Sequence, residues 1–272
     1  MLEINQIHQG DCLELMQKIP DKSIDAIITD LPYQLTFCKW DKIIPFEPLW
    51  KQYKRIIKDN SAIVLTASQP FTSALVMSNI EMFKYEWIWE KAVGSNFATV
   101  KYQPMKEHEN ILVFGNGKIK YNPIMQERKG SGKNRCAYTF NNKVTSKTIN
   151  NETFYNQDGE RKSFNENLRS PSSVQYFNNR EASTVNGRRG LHPTQKPIAL
   201  LEYLIKTYTN EGDLILDNCI GSGSTAIAAI NTNRNFIGIE KEIEYCNIAN
   251  KRIMEVRKNI KSNLRHYFEN GI

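Results

Sequence analysis

The chain has 272 residues, 40% of them hydrophobic, which suits one large domain or one domain with an insertion. Its formal net charge of +7 and sequence pI near 9.0 favour a polyanionic partner. The five cysteines have no CxxC spacing, which argues against a disulfide framework or a metal site. No signal-peptide pattern opens the chain, and no apolar run approaches the ~20 residues of a membrane span. We therefore expect a cytoplasmic protein without a metal.

Predicted strands and helices alternate along the first 114 residues. Strands are predicted at residues 4–8, 24–29, 62–66, 87–89 and 110–114, and helices at 13–19, 49–57 and 71–78. This alternation predicts an α/β fold with a mostly parallel sheet. In such sheets ligands bind outside the carboxyl ends of the strands, so residues that directly follow a strand are candidates for a site.

The tetrapeptide Asp30-Leu31-Pro32-Tyr33 directly follows the predicted strand at 24–29. The Asp30 carboxylate and the Leu31 carbonyl can each accept a hydrogen bond from one amine, Pro32 stiffens the turn, and Tyr33 offers a flat face for stacking. This combination suits a planar substrate with an amino group. The same residue types are also typical of an ordinary turn after a strand, so the tetrapeptide alone decides nothing.

Residues 115–190 differ in composition from the rest of the chain. They contain fourteen Lys and Arg against six Asp and Glu, together with thirteen Asn and many aromatic residues. Their helical periodicity is poor, which indicates an inserted irregular lobe or a partly disordered insertion. Basic residues interleaved with Asn and aromatics suit phosphate contacts, base-edge hydrogen bonds and stacking.

A second motif lies in the last third of the chain. A predicted helix at 198–208 and a strand at 214–216 lead into Asp217 and a turn with Gly221 and Gly223. A helix at 226–230 and a strand at 235–239, which ends on Glu240, complete a nucleoside-binding unit. The glycines let the backbone approach a ligand closely, and the acidic residue can accept from both ribose hydroxyls.

This nucleoside-binding unit fits two cofactors. Gly221-x-Gly223-x-x-Ala226 matches the looser dinucleotide fingerprint, but S-adenosylmethionine shares the adenosine part of NAD. Residues 30–33 favour S-adenosylmethionine, because hydride transfer needs no double acceptor for an amine.

Together the two motifs resemble those of the DNA amino-methyltransferases, whose catalytic tetrapeptide is usually Asp, Asn or Ser, then Pro-Pro, then Tyr or Phe. The catalytic motif precedes the cofactor motif here, which is similar to the permuted β group. His192-Pro193-Thr194-Gln195-Lys196-Pro197 and Lys106–Phe114 resemble segments of that group as well. The resemblance implies a Rossmann-like methyltransferase sheet, mostly parallel with one antiparallel strand. It also implies a catalytic half at 1–114, a basic target-recognition insertion at 115–190 and a cofactor-binding half at 191–272.

The resemblance also assigns roles to individual residues. The target base would be held by Asp30, Leu31, Pro32 and Tyr33. The methionine part of the cofactor would be held by Asp217, Gly221 and Gly223, with Thr194 and Lys196 near its end. The ribose would be held by Glu240, and the adenine would lie beside Asp11 and Cys12. Asp11 as a helix cap and Lys196 as a solvated charge are the alternatives. Leu31 replaces the usual first proline, which the carbonyl role tolerates. Asn218-Cys219 replaces the usual Pro-Phe and leaves the packing there open.

The resemblance implies methyl transfer from S-adenosylmethionine to N6 of a flipped adenine in double-stranded DNA, without a metal. In this scheme Arg188 and Arg189 of the insertion bind DNA, and the chain forms a homodimer as members of the permuted group often do. Methylation of cytosine N4 is the nearest alternative, although Asp at the first position of the tetrapeptide favours adenine. More distant alternatives are a dinucleotide-dependent oxidoreductase and a DNA-binding protein without catalysis.

Overall fold

A computed structural model describes residues 2–34, 41–128, 168–180, 184–185, 188–189 and 195–270; for 184–185, 188–189 and 263–270 it describes the backbone only. The chain divides into two compact units. The larger unit combines Met1–Asn122 with Ser173–Ile272, and the smaller unit is Pro123–Ser172. Within the described ranges, no helix has the length and apolar character needed to cross a membrane.

Twelve strands occur in the described ranges: β1 Gln6–Gln9, β2 Ile24–Asp30, β3 Ile57–Ala67, β4 Phe83–Ser95, β5 Lys106–Phe114, β6 Gln126–Glu127, β7 Leu168–Arg169, β8 Val174–Phe177, β9 Thr184–Val185, β10 Arg188–Arg189, β11 Leu214–Asp217 and β12 Asn235–Glu240. Eight of them form one sheet in the order β1-β12-β11-β2-β3-β5-β4-β8. Strand β5 pairs antiparallel with β3 and β4, and every other pair in this sheet is parallel. The predicted mostly parallel sheet with one antiparallel strand is confirmed.

Helices cover both faces of this sheet. They are α1 Cys12–Met16, α2 Phe46–Ile56, α3 Phe71–Ser78, α4 Ile198–Tyr208, α5 Ser224–Asn231 and α6 Ile243–Asn270, with a 3-10 turn at Phe97–Thr99. Helices α1, α2 and α3 contribute to one buried core, whereas α4 and α5 contribute to a second core. Successive residues of a strand alternate between the two cores: Ile27 of β2 lies in the first, and Ala26 and Ile28 lie in the second. Burial on both faces explains why the central strands are almost continuously apolar.

The segment at 115–190, whose role as an insertion stays a prediction, contains the whole smaller unit and parts of the larger one. Strand β8 pairs in parallel with β4 at one end of the large sheet, with Val174 opposite Ile88. Residues 174–177 therefore belong to the larger unit. The smaller unit contains the antiparallel pair β6 and β7, and Arg128 Nε donates to the Leu168 carbonyl at 2.8 Å.

The glycine turn between β11 and α5 has a backbone that favours glycine. Gly221 has φ +51° and Gly223 has φ +84°, both in the left-handed region. A Cβ atom on Gly223 would lie 2.9 Å from the Ala249 Cβ of α6. Gly223 is therefore needed for the close approach of the turn to α6.

Replacement of Gly223 by Ala tests this packing. We expect Gly223→Ala to lower the free energy of unfolding by roughly 2–4 kcal/mol, because a left-handed alanine costs about 1–2 kcal/mol and the contact with Ala249 adds overpacking. Gly212→Ala is the matched control, since Gly212 has φ +80° but nothing within 4 Å of an added Cβ. Urea unfolding measures both variants, and equal losses would refute the packing role of Gly223.

Candidate active site

The carboxyl ends of the parallel strands open into a cavity of about 880 Å³. Most of the predicted site residues line it: Asp11, Cys12, Asp30, Leu31, Pro32, Tyr33, Lys196, Asp217, Gly221 and Glu240. Gly223 does not line the cavity, and the position where its Cβ atom would stand faces Ala249 of α6. Thr194 lies outside the described residues, and so do the side chains of Arg188 and Arg189, whose backbone forms β10. The structure thus brings the two predicted motifs together in one cavity.

Both oxygens of the Asp30 carboxylate are anchored. Oδ1 accepts from the Tyr33 hydroxyl at 2.5 Å and from the hydroxyl of Thr66, which is the register partner of Asp30 on β3. Oδ2 accepts from the Lys196 ammonium at 2.7 Å. A carboxylate offers about four lone-pair positions, so one acceptor position remains for a ligand.

Tyr33 is anchored by its ring and by its hydroxyl. Its ring stacks on Phe71 with centroids 5.1 Å apart, and the Lys196 ammonium lies 5.5 Å from its centroid. Burial, and then the neighbouring Asp30 carboxylate, raise the pKa of Tyr33 well above its ordinary value. The hydroxyl therefore stays protonated and remains a donor to Asp30. The stacking of a substrate ring on Tyr33 stays a prediction.

Lys196 is buried, with 8% of its surface exposed, so it is not a solvated charge. Besides its bond to Asp30, the ammonium lies 3.4 Å from Glu109 Oε2, and Glu109 Oε1 lies 3.3 Å from the Lys91 ammonium. Burial alone would lower the pKa of Lys196, but the Asp30 and Glu109 carboxylates outweigh it and raise that pKa. The structure therefore places the Lys196 ammonium on the tetrapeptide's carboxylate.

Asp217, at the end of β11, is almost fully buried, with 3% of its surface exposed. Its Oδ1 accepts from the Thr29 hydroxyl at 2.7 Å and from the Cys219 backbone N–H at 3.1 Å. Burial raises its pKa to about 6, and the nearby Asp30 charge acts in the same direction. No cation of the described residues forms an ion pair with Asp217.

Glu240, at the end of β12, is bonded by backbone N–H groups. Its Oε2 accepts from the Gly221 N–H at 2.8 Å, and its Oε1 accepts from the Glu242 N–H at 2.9 Å. Burial raises the pKa of Glu240. Glu240 lines the cavity, and its two oxygens together offer more lone-pair positions than these bonds use, as an acceptor for two neighbouring hydroxyls requires.

Asp11 caps α1, because its Oδ1 accepts from the Leu13 N–H at 2.9 Å. The capping alternative is thus correct, and Asp11 also lines the cavity. Interaction with the Cys219 thiol lowers the pKa of the neighbouring Cys12, and the same interaction raises the pKa of Cys219.

The packing of Asn218, left open by the sequence, is a buried hydrogen bond. The Tyr53 hydroxyl donates to its Oδ1 at 2.6 Å. An asparagine therefore fixes the glycine turn onto α2 at a position where the resembling family has proline.

The sequence did not point to Thr29, Thr66 or Glu109. The two threonines hold Asp217 and Asp30, and Glu109 pairs with Lys196. Thr29 and Thr66 each follow an apolar run near the end of a strand, which is the signal that marks them in the sequence. Glu109 lies among other polar residues in the first half of β5 and has no such signal. Their roles depend on strand register, which residue types alone do not reveal.

These features fit S-adenosylmethionine. The α-ammonium of its methionine part can supply the cation that Asp217 lacks among the described residues, since a buried carboxylate is strongly stabilised by a paired charge. Glu240, beside the N–H groups of the glycine turn, provides the two acceptors that a ribose diol needs.

Stability against pH tests the buried charge on Asp217. Because the folded pKa of about 6 exceeds the unfolded value of 3.8, its stabilisation is greatest below 3.8 and is lost as pH rises through 6. Asp217→Asn keeps an acceptor for Thr29 and removes the charge. We therefore expect this variant to gain roughly 3 kcal/mol over the wild type above pH 7, and the gain to vanish towards pH 4.

Urea unfolding between pH 4 and pH 8 measures this difference. Asp213→Asn is a control of opposite sign: burial alone would raise the pKa of Asp213, but the hydrogen bonds from Lys120 and the Asn210 N–H, together with nearby lysine charges, lower it. That variant should lose stability at neutral pH and recover as pH falls. A difference for Asp217→Asn that stays constant across the range would show that this carboxylate is not destabilised by burial.

Comparison with known proteins agrees with this geometry. A family model described as DNA methylase, of the N6 and N4 type, matches residues 24–251. The type II methyltransferase M1.MboII of Moraxella bovis is 31% identical over 268 residues, covering 92% of this chain and 96% of the relative. The type II methyltransferase M.HinfI of Haemophilus influenzae is 29% identical, covering 94% of this chain and 70% of the relative.

Solved structures share the fold. The M1.HpyAVI–SAM complex aligns with TM-score 0.56 and 25% identity, over 91% of this chain and 98% of that chain. The PvuII DNA methyltransferase, described as cytosine-N4-specific, aligns with TM-score 0.62 and 16% identity, over 93% and 91%. Membership of this family favours S-adenosylmethionine over a dinucleotide. The chain belongs to the N6/N4 DNA methylase family, and it is an S-adenosylmethionine-dependent DNA methyltransferase.

Proposed function

We propose that this enzyme methylates the exocyclic N6 of adenine at a specific sequence in double-stranded DNA. The observation that carries this proposal is the Asp30 carboxylate, which is fixed in the cavity with one acceptor position left. The Leu31 carbonyl beside it accepts a hydrogen bond from no described residue. Two adjacent acceptors match the two hydrogens of an exocyclic amine.

Bound S-adenosylmethionine supplies an electrophilic methyl group. Asp30 and the Leu31 carbonyl orient the amine, and their two hydrogen bonds draw its lone pair out of conjugation with the ring. The Asp30 carboxylate also stabilises the positive charge that develops on the nitrogen during attack, until the amine loses its proton. Glu240 and Asp217 hold the ribose and methionine ends of the cofactor.

The target adenine cannot be reached inside a duplex, so we propose that it is flipped into the cavity. The predicted insertion, which includes Arg188 and Arg189, would read the sequence around it. The relatives are named type II methyltransferases, and we propose the same class, in which methylation protects a restriction site, for this chain. The homodimer inferred from the permuted group stays a prediction.

Cytosine N4 is the second candidate, because the matching family spans both amines and the PvuII enzyme with the same fold is named cytosine-N4-specific. Aspartate at the first position of the tetrapeptide supports adenine by analogy with the family. Incubation with labelled S-adenosylmethionine and unmethylated DNA, followed by nucleoside mass analysis, separates the two. Methyladenine is expected; methylcytosine would keep the mechanism and correct the base.

Removal of the Asp30 carboxylate tests its role. We expect Asp30→Ala to lower turnover by at least about 10²-fold, because the amine loses a charged acceptor, while DNA binding changes little. Asp59→Ala is the control, since Asp59 is an exposed aspartate at the surface that pairs with Lys22. Turnover of Asp30→Ala equal to that of the control would remove Asp30 from the mechanism.

Neutralisation of Arg188 and Arg189 tests whether this pair in the predicted insertion binds DNA phosphates. We expect the double change to Gln to weaken DNA binding and to reduce the slope of log affinity against log salt by about 1 for each lost phosphate contact. Replacement of the exposed Lys51 and Lys54 of α2 by Gln removes the same charge elsewhere and controls for net charge. An unchanged slope in the arginine variant alone would exclude phosphate contacts by this pair.

A further inference from the structure

Four charged side chains form a largely buried cluster beside the catalytic tetrapeptide, defined by Asp30, Lys196, Glu109 and Lys91. The two lysines are almost fully buried, and the Glu109 side chain is 17% exposed. The ion pairs run from Asp30 to Lys196 at 2.7 Å, from Lys196 to Glu109 at 3.4 Å and from Glu109 to Lys91 at 3.3 Å. Burial of four charges is costly unless each is compensated, so the arrangement needs a reason beyond stability.

We propose that Lys196 is a positioning residue for methyl transfer: its ammonium, held by Glu109, orients the Asp30 carboxylate so that its remaining acceptor position faces the substrate amine. This inference rests on the proposed function, because it assigns Lys196 a role in that reaction. It places Lys196 at the substrate end of the cavity instead of the methionine end of the cofactor.

The hydrogen bonds of Asp30 support this role. Tyr33 and Thr66 both donate to Oδ1, so neither of them bonds Oδ2. Among the described residues Lys196 is the donor to Oδ2, so its bond restricts rotation of the carboxylate together with the bonds at Oδ1. A charge-assisted bond of 2.7 Å is among the stronger kinds of hydrogen bond, and it keeps the last lone pair in one direction.

The Glu109 carboxylate offsets the positive charge that Lys196 places next to Asp30. A cation next to Asp30 would weaken the attraction between Asp30 and the positive charge that grows on the amine. Glu109 Oε2 lies 3.4 Å from that cation and is a buried atom that accepts no hydrogen bond from the described residues, so it acts through its charge. With Lys91 on its other oxygen, the cluster has two positive and two negative groups and no net charge.

Gln195 and Lys196, which are consecutive in the chain, contact different motifs of the cavity. The Ser222 hydroxyl of the glycine turn donates to the Gln195 side chain at 3.3 Å, whereas Lys196 reaches Asp30. Consecutive residues thus face the two motifs. The described hydrogen bond and ion pairs of Lys196 join it to Asp30 and Glu109, and not to Asp217, which is the carboxylate suited to the cofactor's ammonium.

Chemical rescue tests the inference. We expect Lys196→Ala to lower kcat by about 10²-fold, the order of loss that a small misplacement of a reacting group causes. The KM for DNA and the Kd for S-adenosylmethionine should stay within about twofold, since neither ligand contacts Lys196 in this scheme. Ethylammonium or propylammonium in the assay should restore at least about a tenth of the lost rate by replacing the missing cation. Lys58→Ala, which removes an ion-paired lysine outside the cavity, should show neither loss nor rescue.

Glu109→Gln is the second variant, because it keeps the size of the side chain and so preserves folding if Lys196→Ala is unstable. It should lower kcat with an unchanged KM, and its effect should be less than additive with that of Lys196→Ala. A raised Kd for S-adenosylmethionine with normal kcat in either variant would assign the pair to the cofactor and overturn the inference. Wild-type rates in both variants would also overturn it while the proposed function stands. Absence of methyl transfer by the wild-type enzyme would refute the proposed function itself.

Discussion

The structure depends on holding three carboxylates at the carboxyl ends of three neighbouring strands, β12, β11 and β2, inside one cavity. Parallel strands bring Asp30, Asp217 and Glu240 to the same cavity because their carboxyl ends coincide. Each carboxylate is compensated differently: Asp30 by an ammonium and hydroxyls, Asp217 by hydroxyls and a backbone N–H, and Glu240 by backbone N–H groups. Asp217 is almost fully buried and forms no ion pair with a described residue, so a cationic ligand would stabilise it strongly.

The carboxylates at the cofactor and substrate ends of the cavity, Asp217 and Asp30, interact electrostatically. The Asp30 charge contributes to the raised pKa of Asp217, so the ionisation of one carboxylate depends on the other. Thr29, which donates to Asp217, directly precedes Asp30 on β2. A change in the charge of Asp30 is therefore expected to alter the pKa of Asp217.

The sequence was sufficient for most of the fold and for the site's main carboxylates, because apolar periodicity and the residues after each strand are local signals. The helices at 71–78 and 198–208 have the predicted bounds. Other features depend on partners far along the chain. The Asp30–Lys196 bond joins residues 166 positions apart, and the role of Thr66 follows from its register opposite Asp30. Likewise, the contact that a Cβ atom on Gly223 would make is with Ala249 of α6, which the residues next to Gly223 in the sequence do not reveal.

The position of β1 at the edge of the sheet has a consequence for the order of folding. Among the described strands its neighbour in the sheet is β12, and β2 lies between β3 and β11, so both strands from the beginning of the chain pair with strands beyond residue 213. Contacts of such high sequence separation slow folding, because a long loop must close before any pairing is gained. On the ribosome, β1 must wait unpaired until more than 200 further residues have been synthesised, and one edge of β2 until more than 180 have been. The nascent chain thus exposes the apolar edge of β2 for most of its synthesis, which is the period when it is most prone to aggregate.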